Sequence, residues 1–305
     1  YVPWLKDKLV ELNFKSGFWG RYSQYLSREE DFSPIVVNRI DKLTDDILDH
    51  LLDPNVQGSI DKKGLVVGNV QSGKTANYTG LIAKAADAGF KIIIVLAGMH
   101  NNLRSQTQIR IDKHILGFDT GGIDSKGKID SQRGTAIGVG LHSNQIVAHS
   151  LTTVKQDFSK NAANGQGINF ETKEPIIAVI KKNTSILKSF NQWLFSKTKS
   201  TDQKIYSKSI LIIDDEADNA SINTAKDPEK LSRINEGITQ IIDLFPKSAY
   251  VGYTATPFAN IFIPPDDFNL FPKNFIKSIP PPSLYIGAEK IFGFEYSDDE
   301  DNTNL

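Results

Sequence analysis

The eight residues from Gly68 to Thr75 read GNVQSGKT and satisfy the phosphate-loop pattern G-x-x-x-x-G-K-[ST] in full. Directly before them lies the apolar run GLVV at 64–67, which predicts the strand that such a loop leaves. After them, apolar residues recur with a helical period until Gly89, a residue typical of helix C-terminal caps. The sequence therefore predicts a strand, a phosphate-binding loop and a helix, and these define an α/β domain.

Each residue type in this loop has a physical role in binding a nucleotide. Glycines allow the backbone N–H groups to approach the phosphates, and the helix N-terminus favours an anion. We expect Lys74 to reach the two outermost phosphates and the Thr75 hydroxyl to bind Mg²⁺. The predicted nucleotide-binding residues are Gly68, Asn69, Val70, Gln71, Ser72, Gly73, Lys74 and Thr75.

Composition narrows the class of protein. A chain of 305 residues with 39% hydrophobic content can bury the core of one large domain or two small ones. The net charge of −1 gives no overall basic field, so nucleic-acid binding would need a local groove. The absence of cysteine excludes disulfides, thiolate metal sites and a cysteine nucleophile. Because no apolar run approaches a membrane span and no signal pattern is present, we expect a soluble, cytoplasmic protein.

Short apolar runs separated by helical segments predict an α/β fold with a doubly wound, mainly parallel sheet. The runs lie at 65–67, 92–96, 176–180, 210–213 and 250–253, with weaker strand signals at 136–139 and 146–150. We expect three regions: an N-terminal helical extension at 1–60, a phosphate-loop α/β domain at 61–265 with a polar insertion at about 117–172, and a connector at 266–305. Both ends of the chain look cut, so we expect the connector to lead towards a second lobe.

A second motif, LIIDDEAD at 211–218, places acidic residues directly after an apolar strand. A phosphate loop needs a carboxylate on a neighbouring strand to hold Mg²⁺ through water and an acid to orient or deprotonate the attacking water. Asp215 fits the first role. Glu216 fits the second and, with Lys74, is the predicted catalytic residue.

A third motif, GYTATP at 252–257, also follows an apolar run. Hydroxyl groups at a strand end can hydrogen-bond the carboxylates of the second motif. We therefore expect Thr254 and Thr256, together with Asp218, to couple the state of the γ-phosphate to movement.

These three loops, in this order, resemble the first RecA-like domain of superfamily 2 helicases and translocases over roughly residues 62–260. The resemblance implies ATP and Mg²⁺ as cofactors, DNA as a partner, and a second RecA-like lobe that supplies an arginine to the transition state. It also implies two nucleic-acid backbone contacts, one in the turn after the second strand and one directly after the strand that precedes the acidic strand. The matching residues are Asn102, Arg104, Gln106, Lys181, Lys182 and Asn183.

Several longer phrases resemble the Z1 domain family, labelled putative endonucleases. They include HNNLRSQTQIRID at 100–112, VIKKN at 179–183 and GYTATPFANIFIP at 252–264. That family implies a setting in bacterial restriction or phage defence, with MutL-like ATPases or nucleases as partners. The adenine-reading glutamine motif of superfamily 2 is not evident, so the base could be recognised by Gln71, Arg21, Tyr22 or Gln24.

Our leading hypothesis is a motor domain that couples ATP hydrolysis to movement on DNA. On its own, the chain is expected to bind nucleotide with little or no hydrolysis. One alternative is an ATP-dependent switch or assembly module that never translocates. Another is a Mg²⁺-dependent endonuclease that uses Asp157 with Glu171-Thr172-Lys173, a pattern that Asp61-Lys62-Lys63 also matches. The aromatic residues at 18–25 are expected either to pack the extension onto the domain or to stack on the base.

Overall fold

The computed structural model describes residues 2–69, 72–122, 135–142, 146–218, 228–257, 260 and 270–280. Within them, seven strands form one sheet in the order β3-β4-β2-β5-β6-β1-β7, and every pair of neighbouring strands is parallel. The strands are β1 (Ile60–Val67), β2 (Ile92–Ala97), β3 (His149–Ser150), β4 (Ile176–Ile180), β5 (Ile210–Asp215), β6 (Lys247–Thr254) and β7 (Phe275–Ser278).

Eight α-helices connect and cover these strands in the described ranges. They are α1 (Leu5–Leu12), α2 (Phe18–Arg28), α3 (Pro34–His50), α4 (Lys74–Ala88), α5 (Asn101–Ile111), α6 (Lys160–Gly165), α7 (Thr184–Phe195) and α8 (Pro228–Asp243). Helix α3 begins where the sequence predicts: Ser33 accepts a hydrogen bond from the Val36 N–H, and Pro34 occupies the first turn. Helix α4 ends at Gly89, whose φ of 108° is left-handed.

The sheet is buried on both faces, as its unbroken apolar strands require. Alternate residues of β2 show this: Ile93 and Val95 belong to one hydrophobic cluster, and Ile92 and Ile94 belong to the other. The first cluster includes residues of α1 to α4, and the second includes residues of α6, α7 and α8. The prediction of a doubly wound parallel α/β sheet is therefore confirmed, and all five main strand runs lie within strands.

The structure changes the predicted region boundaries. Strand β7 pairs with β1 from Gly64↔Phe275 to Val67↔Ser278, so the sheet continues past residue 265 and the prediction of a connector from 266 is wrong for this strand. The weaker signals were less accurate. Residues 136–139 provide only an isolated antiparallel bridge between Phe118 and Ala136, and 146–150 provide the two-residue β3. Insertion residues 123–134 and 143–145 lie outside the described ranges.

The N-terminal extension is helical, as predicted, but it shares its core with the sheet. Lys84 of α4 is fully buried, and its Nζ lies 2.6 Å from carboxylate oxygens of both Asp41 and Asp45 on α3. Trp19 and Tyr22 of α2 are only 6% and 1% exposed. Helices α2 and α3 therefore pack against α4, the helix that follows the phosphate loop. The prediction that the aromatic residues pack the extension onto the domain is confirmed.

Burial also removes two of the candidates for base recognition. The Tyr22 ring lies in the core, and the Arg21 guanidinium donates to the backbone carbonyls of Ile115 and Ile146. Neither side chain is available to stack on a base, whereas Gln24 is exposed and Gln71 lies outside the described residues.

Candidate nucleotide site

Strand register brings the three motifs to one edge of the sheet. Val67, which leads into the phosphate loop, pairs with Thr254 on β6, and Asp215 on β5 pairs with Tyr253. Strand β6 therefore lies between the phosphate-loop strand and the acidic strand. Because all strands are parallel, their carboxyl ends meet at this edge, where ligands of open α/β sheets bind.

The phosphate loop is folded as a cradle. The Gly68 N–H donates to the Thr254 carbonyl at 3.0 Å, which joins the loop to β6. A Cβ at Gly68 would lie 2.4 Å from the Ser72 Oγ, so any larger residue there would displace that hydroxyl. Gly73 has a left-handed φ of 86°, which glycine adopts without strain. Val70 and Gln71 lie outside the described residues, while the other six predicted loop residues lie within them.

The polar groups of this loop are suited to an anion. The Lys74 Nζ donates to the loop's own carbonyls, at 2.7 Å to Gly68 and 3.0 Å to Asn69. The Ser72 Oγ is buried without a hydrogen-bond partner among the described residues. Partial burial lowers the pKa of Lys74, and the nearby acidic residues oppose that shift. The Lys74 ammonium and the Ser72 hydroxyl are hydrogen-bond donors beside two glycines. Such donors are suited to bind phosphate oxygens.

The acidic loop, residues 214–218, lies across β6 from this cradle. Burial raises the pKa of Asp215, and neighbouring Glu216 raises it further. The phenol of Tyr78 on α4 lies close enough to Asp215 for that carboxylate to contribute to the raised pKa of Tyr78, whose main cause is burial. Asp215 is therefore held in a confined position facing the first turn of α4, as a metal-holding carboxylate beside Thr75 would be.

Glu216 has an unusual backbone. Its φ is 58°, in the left-handed region that non-glycine residues seldom adopt, and its side chain is exposed. Such strain needs support from surrounding structure and is concentrated at functional sites. The geometry holds the Glu216 carboxylate out at the open edge of the sheet, where a bound water can be reached.

The support for this loop comes from a residue that the sequence assigned to the surface. The Lys182 Nζ lies 2.6 Å from the Asp214 Oδ1, and both side chains are fully buried. The same Nζ donates to the Glu216 carbonyl at 2.6 Å, and Tyr250 donates its hydroxyl to the other Asp214 oxygen at 2.7 Å. The prediction that Lys182 contacts nucleic acid is wrong, because its charge is used beneath the acidic loop.

The third motif connects the other two. The Ala217 N–H donates to the Tyr253 carbonyl at 2.9 Å, and the Thr256 hydroxyl donates to the Asp218 carboxylate. The contact expected of Thr256 is therefore present, and its coupling role stays a prediction. Thr254 differs: its buried hydroxyl accepts from the Thr256 N–H at 2.9 Å instead of binding a carboxylate.

The remaining candidates for nucleic-acid contact divide into exposed and buried residues. Arg104 is 2% exposed, and its guanidinium donates to the carbonyls of Thr153 (2.9 Å) and Val154 (2.7 Å), so its predicted backbone contact is wrong. Asn102 and Gln106 are exposed on α5. Lys181 is partly exposed and donates to the Asn101 side chain at 2.8 Å, while Asn183 accepts from the first N–H groups of α7.

The residues of the endonuclease alternative are engaged elsewhere. Asp157 accepts from the backbone N–H groups of Phe158 (2.7 Å) and Lys181 (3.3 Å), and exposed Glu171 pairs with Lys199 at 2.7 Å. Asp61 lies 3.0 Å from Lys273. No group of three or more histidine, aspartate or glutamate residues arranged for a metal occurs in the part of the chain that the structure describes.

Sequence reasoning missed Tyr78, Asn77 and Tyr253 as parts of the site. Tyr253 donates its hydroxyl to the Asn77 Oδ1 at 2.8 Å, and its ring packs edge-on against Tyr78. A usable signal existed: Asn77 and Tyr78 lie within three residues of the end of the phosphate loop, and a tyrosine precedes the first threonine of the third motif.

The chain is similar to the helicase domain of Hef from Pyrococcus furiosus, with 13% identity and a TM-score of 0.39 over 71% of this chain. It spans about a third of the length of that structure, 34%. No family model and no curated protein matches the chain. None of the helices in the described ranges is long and apolar enough to cross a membrane.

Proposed function

We propose that this chain binds ATP with Mg²⁺ and is the first lobe of a helicase-like ATPase. The observation that carries the proposal is the meeting of Lys74, Asp215 and Glu216 at one sheet edge, with β6 hydrogen-bonded to the loops on both sides. A phosphate cradle opposite a confined carboxylate and an exposed acid is what phosphoryl transfer to water requires.

Each residue has a defined task in this proposal. The loop N–H groups and Lys74 bind the phosphates, while Thr75 and Asp215 hold Mg²⁺, which neutralises charge on the phosphate oxygens. Glu216 orients the attacking water and takes its proton. The hydrogen bond from Thr256 to Asp218 then transmits a change at the acidic loop to the end of β6.

We further propose that the protein moves along DNA and belongs to the Z1 domain family. It would act in the cytoplasm, within a bacterial restriction or phage-defence system. A second RecA-like lobe and partners such as MutL-like ATPases or nucleases belong to the same proposal. Its support is the sequence resemblance together with Asn102, Gln106 and Lys181, which lie near the carboxyl edge of the sheet with exposed or partly exposed side chains.

Charge reversal at this edge tests the proposed DNA contact. Lys181 follows the end of β4, whereas exposed Lys173 precedes the start of the same strand. We expect Lys181→Glu to weaken single-stranded DNA binding by about fivefold to tenfold. The substitution removes one contact to a DNA phosphate, and the new carboxylate repels that phosphate. The matched variant Lys173→Glu should bind like the wild type. Fluorescence anisotropy at two salt concentrations measures both.

Equal affinity of the two variants for single-stranded DNA would exclude this edge of the sheet as the DNA contact. The ATP-dependent switch or assembly module would then be the better account of the same nucleotide site.

A further inference from the structure

A cavity of about 380 Å³ opens beside the phosphate loop, on the side of the N-terminal extension. Its walls come from the α2–α3 junction, from α3, from the loop and first turn of α4, and from the residues after β7. The lining residues used below are Phe32, Val36, Arg39, Ser72, Gly73 and Asn77. The cavity is thus continuous with the phosphate cradle, because Ser72 and Gly73 belong to both.

Two buried polar groups of this lining have no hydrogen-bond partner among the described residues. They are the Oγ of Ser72, a residue 9% exposed, and the Nδ2 of Asn77, a residue 2% exposed. The Asn77 Oδ1 already accepts from the Tyr253 hydroxyl at 2.8 Å, so Nδ2 is the unsatisfied end of the amide. Buried donors without partners are costly, and a ligand acceptor in the cavity would satisfy them.

The chemistry of the walls limits the ligand. Most of the lining is apolar, with Phe32 and Val36 among the residues that form it, and 380 Å³ falls within the range of small-molecule sites. The charged group in the lining is the Arg39 guanidinium, a donor that also stacks on flat aromatic rings. These features suit a flat, partly apolar group that carries hydrogen-bond acceptors.

We propose that this cavity holds the nucleoside of the triphosphate bound by the phosphate loop and accepts either purine base. Adenine and guanine share the N7 acceptor, which the Asn77 Nδ2 or the Arg39 guanidinium suits as a donor, while the Ser72 hydroxyl is left to the phosphates. Selecting adenine would need an acceptor for its amino group. Among the described residues, the lining contains no carboxylate, and the Asn77 carbonyl oxygen already accepts from the Tyr253 hydroxyl. The inference rests on the proposed nucleotide binding and adds its base specificity.

Filling the cavity separates nucleoside binding from phosphate binding. Val36 is 40% exposed on α3, so Val36→Trp can project into the cavity without disturbing the core. Asn38 is exposed on the same helix outside the cavity, so Asn38→Trp is the matched control. Isothermal titration calorimetry with ATP, GTP, CTP and inorganic tripolyphosphate, each with Mg²⁺, measures the affinities, and thermal melting confirms that the variants are folded.

For the wild type we expect ATP and GTP to bind within about threefold of each other and at least about tenfold more tightly than tripolyphosphate. Val36→Trp should abolish that advantage without changing tripolyphosphate binding, while Asn38→Trp should change neither. Arg39→Ala, a surface change, should weaken both purine nucleotides and leave tripolyphosphate unaffected.

Three results would overturn the proposal: tripolyphosphate binding as tightly as ATP, Val36→Trp binding ATP like Asn38→Trp, or ATP preferred strongly over GTP. In each of these cases the phosphate loop still binds phosphate, and the proposed function stands. If neither ATP nor tripolyphosphate binds the wild type, nucleotide binding itself fails.

Discussion

Replacing Lys182 with methionine should lower the free energy of unfolding by about 3–5 kcal/mol, the usual cost of leaving one partner of a buried ion pair uncompensated. Asp214 would lose its cationic partner in a fully buried position, while the Tyr250 hydroxyl would still donate to its other oxygen. The Glu216 carbonyl would lose its 2.6 Å contact as well. Urea denaturation with linear extrapolation measures the loss.

The neighbouring residue is the control. Lys181 is partly exposed, and its amino group contacts Asn101, so Lys181→Met should change the free energy of unfolding by less than about 0.5 kcal/mol. The double variant Lys182→Met, Asp214→Leu should recover much of the loss, because replacing both charges with apolar groups removes the unpaired carboxylate. If Lys182→Met is as stable as Lys181→Met, the buried pair does not support the acidic loop.

Substituting Glu216 with glutamine should reduce the rate of ATP hydrolysis by the intact protein about 10²- to 10⁴-fold, the usual contribution of a general base. Glutamine has nearly the shape of glutamate and can adopt the same backbone, but it cannot accept a proton from the attacking water. The affinity for ATP should stay within about threefold, because the phosphates are bound by the cradle across β6. A single-turnover assay measures the chemical step, and calorimetry measures the affinity.

Glu236→Gln on α8 provides the comparison for this variant. That residue is exposed and hydrogen-bonds Gln240 on its own helix, so its loss should leave hydrolysis unchanged. Undiminished turnover by Glu216→Gln would exclude the residue as the base. A loss of ATP affinity comparable to the loss of rate would instead assign Glu216 to binding.

Local patterns predicted the framework of this site because they encode it directly. The apolar runs at 92–96 and 210–213 are buried on both faces, as the apolar pattern of central strands predicts. Gly73 of the phosphate loop has a left-handed φ of 86°, which favours glycine. The three motifs lie at strand ends, so a parallel sheet places them at one edge, and the adjacency of β5, β6 and β1 makes them neighbours.

The errors share a different physical cause. Arg104 and Lys182 were predicted to contact nucleic acid because they lie in the two segments that contact the nucleic-acid backbone in superfamily 2. In the structure, Arg104 is buried against backbone carbonyls from residues 153 and 154, and Lys182 is buried against Asp214. Both contacts join segments more than thirty residues apart, so no local period predicts them. Strand β7 was missed because a short edge strand has a weak apolar pattern, with Ile276 half exposed at 50%.

The most direct test is calorimetric titration of Mg²⁺-ATP into the wild-type protein and the Lys74→Ala variant. Lys74 occupies the cradle, where its Nζ donates to the carbonyls of Gly68 and Asn69, contacts that phosphate oxygens would replace. We predict saturable binding to the wild type and a loss of about 10- to 100-fold in the variant, the value of one or two charge-assisted hydrogen bonds. Absence of binding to the wild type, or equal affinity of the two proteins, would contradict a phosphate-binding role for this loop.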